Sequence, residues 1–254
     1  MAFTTSVKQS GVCETTDPIG FALEANCTAG RLLVLFLVYS NVNDDGSDVI
    51  DGGSSMTDTQ GNTWVTGETV SNAFMTGSYS QVIVRSFYTW QDAGALSIGN
   101  TVSVSGQHGD NGHYPLYILY EAGATYPITF KTSGNASGNG LYPTITTASL
   151  STNDILFAIS GIKPDYEYPA NYDSDSSNGS WTAGDKKYDS SVLPLQFISQ
   201  YKVISGTGTQ TFNPTFTNDG TETSPLEGTI YLAFTENVPA SGGYGMSMMG
   251  VGAL

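Results

Sequence analysis

The sequence predicts an all-β protein, an antiparallel β-sandwich that is jelly-roll-like and carries extended terminal arms. Three observations support this. Apolar residues recur with period two or fall in short runs bounded by turn residues, and no stretch sustains a helical period. Thirty Gly and ten Pro interrupt the 254 residues often enough to favour turns over helices. Charged residues make up only 12%, so solubility rests on Ser, Thr, Asn and Gly. Sandwiches of this length are common as one unit. Residues 1–238 therefore read as a single sandwich domain, and 239–254 as a Gly/Met-rich C-terminal arm.

The elements follow in order. RLLVLFLVYS (31–40) is a buried central strand, rich in branched residues and flanked by turn clusters. SSMTDTQGNTWVTGETV (54–70) reads as a hairpin, with Gly61-Asn62 supplying the positive φ of a tight turn. In YSQVIVRSFYTW (79–90), Val82, Val84, Ser86 and Tyr88 face one way and Ile83, Arg85, Phe87 and Thr89 the other. TVSVSGQ (101–107) and YPLYILYEAG (114–123) follow. The second half has the same pattern of short strands and turns. LYPTITTASL (141–150) and ILFAISGI (155–162) come first, then QFISQYKVIS (196–205) and GTQTFNPTFT (208–217) as a hairpin, then GTIYLAFTENV (228–238). Only GFALEANCTAG (20–30) has room for a helical turn. Segments 41–55 and 163–194 read as long irregular loops, and loops of that length usually contact something.

Net charge is −15, from 8 basic and 23 acidic side chains. A phosphate-binding face needs clustered Lys and Arg, and the only arginines are Arg31 and Arg85, so nucleic acid is not an expected partner. An anionic membrane is disfavoured for the same reason, and the apolar run 31–39 is too short to span a bilayer. MAFTTSVKQSG has neither the basic start nor the apolar run of a signal peptide, so synthesis in a cytoplasm is expected. Cys13 and Cys27 fit either a disulfide across an N-terminal hairpin or two reduced, half-buried thiols, and the sequence leaves both open.

Groups that could do chemistry are few. His108 and His113 flank Asp110 in a Gly-rich turn, where solvated histidines are the ordinary outcome. No nucleophile elbow, P-loop, dinucleotide fingerprint, Cys-x-x-Cys or H-E-x-x-H occurs. The paired carboxylates of a glycosidase belong on a strand face, whereas most acids here sit in the two long loops. No catalytic residues are assigned and no cofactor is expected beyond calcium. Calcium would take Asp44, Asp45, Asp48 and Asp51, with Asp165, Glu167, Asp173 and Asp175 as a second crowd; the plainer reading is solvated acidic loops. Tyr166, Tyr168, Tyr172 and Trp181 in the second loop are the surface-contact candidates. They would anchor a protein interface, stack on glycans, or cap the sandwich end as a local mini-core. In the arm, Tyr244, Met246, Met248, Met249 and Leu254 are partner-binding candidates, because flexible Met side chains suit an adaptable contact.

The order of these segments, with T-D-x-x-G-N-T-W at Thr57 to Trp64, N-T-V-x-V at Asn100 to Val104 and N-D-I-L at Asn153 to Leu156, resembles a β-sandwich module of tailed-phage virion proteins and bacterial surface proteins. The likeness runs over residues 30–236. It implies a non-enzymatic virion structural protein of a tailed phage, specifically a capsid decoration (cement) protein packed on the major capsid protein or other virion proteins. The implied location is the virion, after synthesis in the host cytoplasm, and the implied state is a homo-oligomer, a trimer at a capsid symmetry axis being one such arrangement. The rivals are a tail or fibre adhesin that binds host glycans and, behind it, a polysaccharide-active enzyme.

Overall fold

The computed structural model describes residues 3–13, 15, 16, 19–41, 55–73, 81–104, 115–164, 166–190, 194–217 and 225–239. All regular structure in them is strand, paired antiparallel. The strands are β1 (Thr4–Val12), β2 (Thr15–Thr16), β3 (Ile19–Ala22), β4 (Leu32–Asn41), β5 (Met56–Asp58), β6 (Val65–Ala73), β7 (Gln81–Thr89), β8 (Thr101–Val104) and β9 (Leu116–Gly123). They continue with β10 (Ile128–Asn139), β11 (Ile145–Thr146), β12 (Asp154–Lys163), β13 (Ala170–Asn171), β14 (Trp181–Asp189), β15 (Leu195–Val203), β16 (Thr211–Phe212), β17 (Thr215–Phe216) and β18 (Leu226–Glu236).

The chain traces the same path twice. The first half forms a five-stranded sheet in the order β1-β9-β4-β7-β6, and the second forms one in the order β10-β18-β12-β15-β14. In each half the first strand pairs with the last, the long-range closure of a jelly roll. The smaller strands match too. In the first half β3-β8-β5 lie side by side in the covering sheet, and in the second β11 pairs with β16 and β13 with β17. Setting Leu33 against Leu156 aligns Trp64-x-x-Gly67 with Trp181-x-x-Gly184, and Ser86-x-Tyr88 with Ser199-x-Tyr201, through the pairing of the intervening strands. Both glycines stand at β-bulges, where a Cβ on Gly67 would lie 2.5 Å from Ser86 Oγ and one on Gly184 2.7 Å from the Ser199 carbonyl oxygen.

The two large sheets pack face to face. Val34, Phe36, Ile118 and Tyr120 of one meet Phe157, Phe197, Leu232 and Phe234 of the other, all buried. Each sheet is covered on its outer face as well. Leu33, Leu35 and Leu37 lie under Phe21, Met56 and Val102 of the first cover, and Leu156 and Ala158 under Ile145 and Phe212 of the second. This stacking explains the continuous apolar runs. β4, β9 and β12 are buried on both faces, so they cannot alternate. β7 faces both ways as its alternation predicts, with Val82, Val84 and Tyr88 in the inner core and Ile83 and Phe87 in the outer one.

All four edge strands of the large sheets carry a bulge: β1 at Lys8, β6 at Gly67 and Glu68, β10 at Lys131 and β14 at Gly184. Three of these bulges aim a charge inward. Lys8 meets Glu121 at 2.6 Å, Lys131 meets the buried Asp154, and Glu68 accepts from Ser133 Oγ at 2.5 Å and Asn135 Nδ2 at 2.7 Å across the sheet-to-sheet boundary. Bulges and inward charges block edge-to-edge pairing.

Several expectations are corrected. β5 and β6 do not form a hairpin, because β5 pairs with β8 in the cover and β6 with β7 in the large sheet. The turn between them is a corner, tied by the Asp58 carboxylate, which accepts from the N–H groups of Gln60 and Asn62 and from Trp64 Nε1 at 2.6 Å. Segments 196–205 and 208–217 do not pair either; β15 lies between β12 and β14, while β16 and β17 cover the sheet. Segment 163–194 is not one irregular loop but holds β13 and the edge strand β14. Segment 20–30 forms β3 and bends rather than a helical turn. Residues 4–12 pair with β9 as an edge strand. The C-terminal arm from residue 240 onward lies outside the described residues.

Candidate functional site

The four aromatic candidates do not form an exposed cluster. Tyr168 and Trp181 are buried, Tyr166 and Tyr172 half-buried. Tyr168 sits among Ile162, Ile198 and Phe216, with its main-chain N–H and carbonyl both bonded to the Gln196 amide, at 3.0 and 2.6 Å. Tyr166 stands edge-on to it at 4.9 Å. Tyr172 lies beneath the Lys186 ammonium, 4.4 Å from its ring centre, and burial with the neighbouring Asp185 raises its phenol's pKa. Trp181 packs on Phe212 and the buried Lys202. The rings close the outer face of the second sheet, so surface contact is corrected for Tyr168 and Trp181.

Two acids of that segment, Asp173 and Asp175, are in structural use. Asp173, also buried, accepts from the N–H groups of Asp175 at 2.7 Å and Asn213 at 2.9 Å. Asp175 accepts from the Ser177 N–H and pairs with Lys202 at 3.1 Å, contacts that hold its carboxyl below the usual range. Glu167 is exposed. Among the described residues, no group of three or more His, Cys, Asp or Glu could hold a metal ion. Asp44, Asp45, Asp48, Asp51, His108, Asp110, His113 and Asp165 lie outside the described residues, as do Tyr244, Met246, Met248, Met249 and Leu254. Cys13 and Cys27 are not joined in a disulfide. Burial, with Glu121 adding to it, pushes the Cys27 thiol up to about 11, so it stays protonated and unreactive at neutral pH.

The structure instead brings together a pocket at the junction of the two halves. It holds about 440 Å³ and is lined by Thr4, Arg31, Trp90, Gly123, Tyr126 and Pro127 among others. Three elements build it. The 28–31 turn carries Arg31 just before β4, Trp90 follows the end of β7, and residues 124–127 link β9 to β10. Gln91 fixes the first two relative to each other. It is buried, adopts a left-handed φ of 54°, donates to the carbonyls of Thr28 at 2.8 Å and Arg31 at 3.2 Å, and accepts from the Leu96 N–H at 3.1 Å. A left-handed conformation at a non-glycine residue is held only where its surroundings over-determine it. The linker is fixed by buried Glu236, which accepts from the Tyr126 N–H at 2.8 Å, and by the Asn237 N–H donating to the Pro127 carbonyl.

Beneath the pocket the buried Glu121 carboxylate takes Lys8 at 2.6 Å, the Thr28 N–H at 3.1 Å and Arg31 Nε at 3.6 Å. Two cations share one carboxylate there. The terminal guanidinium nitrogens of Arg31 engage no acceptor among the described residues, and the Trp90 indole N–H, buried in the wall, has none either. Gly123 makes room for Arg31, since a Cβ there would stand 2.8 Å from Nε. Tyr126 is 38% exposed at the rim. Sequence reasoning did not find this site because its parts are scattered from Thr4 to Tyr126; the one local signal is Tyr126-Pro127, an aromatic turn between two strand patterns.

Neither a family model, nor a curated protein, nor a solved structure matches the chain.

Proposed function

We propose that the protein is a non-enzymatic structural component of a tailed-phage virion, mounted on the particle surface as a decoration protein. The supporting observation is the blunted sheet edge. With a bulge on each of the four outer strands and charges turned inward, the body resists zipping to copies of itself through main-chain hydrogen bonds. Such a body suits display on an assembly it joins through side chains, loop ends and terminal segments. The motif resemblance over residues 30–236 supports the same reading, as an analogy. Asp173, Asp175, Tyr168 and Trp181, which a catalytic reading would claim in the 166–181 segment, are engaged in holding the cover onto the second sheet.

Antibody labelling of purified particles in electron micrographs tests this. Label distributed over the head is the expected result. Label confined to the tail would favour the glycan-binding adhesin, and particles without the chain would overturn the proposal.

A further inference from the structure

We infer that the junction pocket binds a carboxylate-bearing saccharide, a uronic-acid unit in particular, with Arg31 taking the carboxylate and Tyr126 the sugar face. This goes beyond a structural role on a virion and does not depend on it.

The size is right: about 440 Å³ falls within the roughly 300–1,000 Å³ of small-ligand sites. The charge is specific in a protein of net −15. Lys8 reaches Glu121 at 2.6 Å and Arg31 Nε stands farther off at 3.6 Å, so the three-residue cluster keeps one positive charge in excess. Among the described residues no carboxylate lines the pocket; the buried Glu236 lies behind it, accepting from the Tyr126 N–H. The planar end of Arg31 presents parallel donors that match a carboxylate, and the described residues leave them unused.

The rest of the lining suits a sugar better than a bare carboxylate. Tyr126 offers an accessible aromatic surface, on which an aliphatic ring face packs while its hydroxyls stay wet. Thr4 adds a hydroxyl, which donates to the Gly123 carbonyl at 3.4 Å and can still accept. Arg31 is held before any ligand arrives, by Glu121, by the space over Gly123 and by the Gln91 bond to its carbonyl, so little ordering cost falls on binding.

The test is calorimetric titration of the full chain with trigalacturonate and with neutral galactotriose, with indole fluorescence as a second readout. Saturable binding of trigalacturonate alone is expected, weakened about tenfold or more in Arg31→Gln, which loses the charge-assisted pair. Tyr126→Ala removes a rim residue outside the core, so its thermal midpoint should stay near that of the parent while trigalacturonate binding falls. It keeps the test decisive if Arg31→Gln is poorly folded. Equal binding of both trisaccharides would overturn the inference, as would no saturation with either, or undiminished affinity in a folded Arg31→Gln. Equally tight binding of a short peptide's terminal carboxylate would overturn the saccharide assignment.

Discussion

The two halves of the molecule follow one path but cover their outer faces by different means. In the first half the cover is a sheet: β3, β8 and β5 pair through main-chain hydrogen bonds and press Phe21, Met56 and Val102 onto Leu33, Leu35 and Leu37. In the second half the cover is only two short ribbons, and side chains of β15 do much of the fastening. Gln196 bonds both main-chain groups of Tyr168, Gln200 bonds the N–H of Asp173 at 2.8 Å and its carbonyl at 3.0 Å, and Lys202 holds Asp175. Phe87 of the first half corresponds to Gln200, and Thr89 to Lys202. A sheet can thus be covered either by another sheet or by an irregular segment, provided the buried main-chain groups of that segment find side-chain partners.

The shared inner core is the strongest point at which to break the comparison. Phe157 stands where the first half has Val34, among Tyr120, Tyr201 and Phe234. Phe157→Ala should cost about 3–5 kcal/mol and lower the stability of both halves together. A single calorimetric transition is expected; separate unfolding of the halves would show that the inner core does not couple them.

The inward charges come next. Among the described residues, Glu121 of the first half has two cations and Asp154 of the second only Lys131, beside the N–H and hydroxyl of Ser151. Lys131→Ala leaves a fully buried carboxylate without a cation and should cost about 3 kcal/mol in urea unfolding at neutral pH. Lys8→Ala should cost clearly less, because Arg31 remains. Equal losses would contradict that asymmetry.

Glu227 has no counterpart carboxyl in the first half, where Pro115 occupies the matching place before the last strand. Burial pushes its carboxyl up from 4.5 to about 7, and its Oε2 has no hydrogen-bond partner. The protonated form therefore favours the folded state. Its contribution is fully present below about pH 4.5 and lost as pH rises through about 7, up to roughly 3 kcal/mol at about 1.4 kcal/mol per unit. Glu227→Gln should flatten the pH dependence of the urea midpoint in that window; a parent protein with no slope there would exclude this role.

The smallest effect concerns the cover itself. Gln200→Ala strands the main-chain N–H and carbonyl of Asp173 and should cost about 1–3 kcal/mol. Hydrogen exchange should rise over 166–175 and stay unchanged in the cover of the first half. A rise in both covers would mean that they are not independent.

Much of the fold was legible because burial on both faces leaves an unmistakable trace. β4, β9, β12 and β18 are short apolar runs between turn residues, and their antiparallel sandwich follows. The long strands that escaped, β1, β10 and β14, are sheet edges. ITFKTSGNASGN and WTAGDKKYD bury little, so their composition is that of a loop. The hairpin expected around Gly61-Asn62 failed because a tight turn looks the same locally whether its strands pair or part to different sheets. Of the proposed site, Arg31 and Tyr126 were visible only as an arginine before a strand and an aromatic residue before a proline.

By itself, then, the sequence determined the class of structure, the buried central strands and the two faces of β7, since all of these are periodic properties of contiguous residues. Only the tertiary structure decided that W-x-x-G and S-x-Y occur twice in equivalent places, that the aromatic segment faces inward, and that Arg31, Trp90 and Tyr126 share a pocket. Those are facts of register and long-range closure. They depend on which strands pair, and one residue of slip exchanges the two faces of a strand without altering any local pattern.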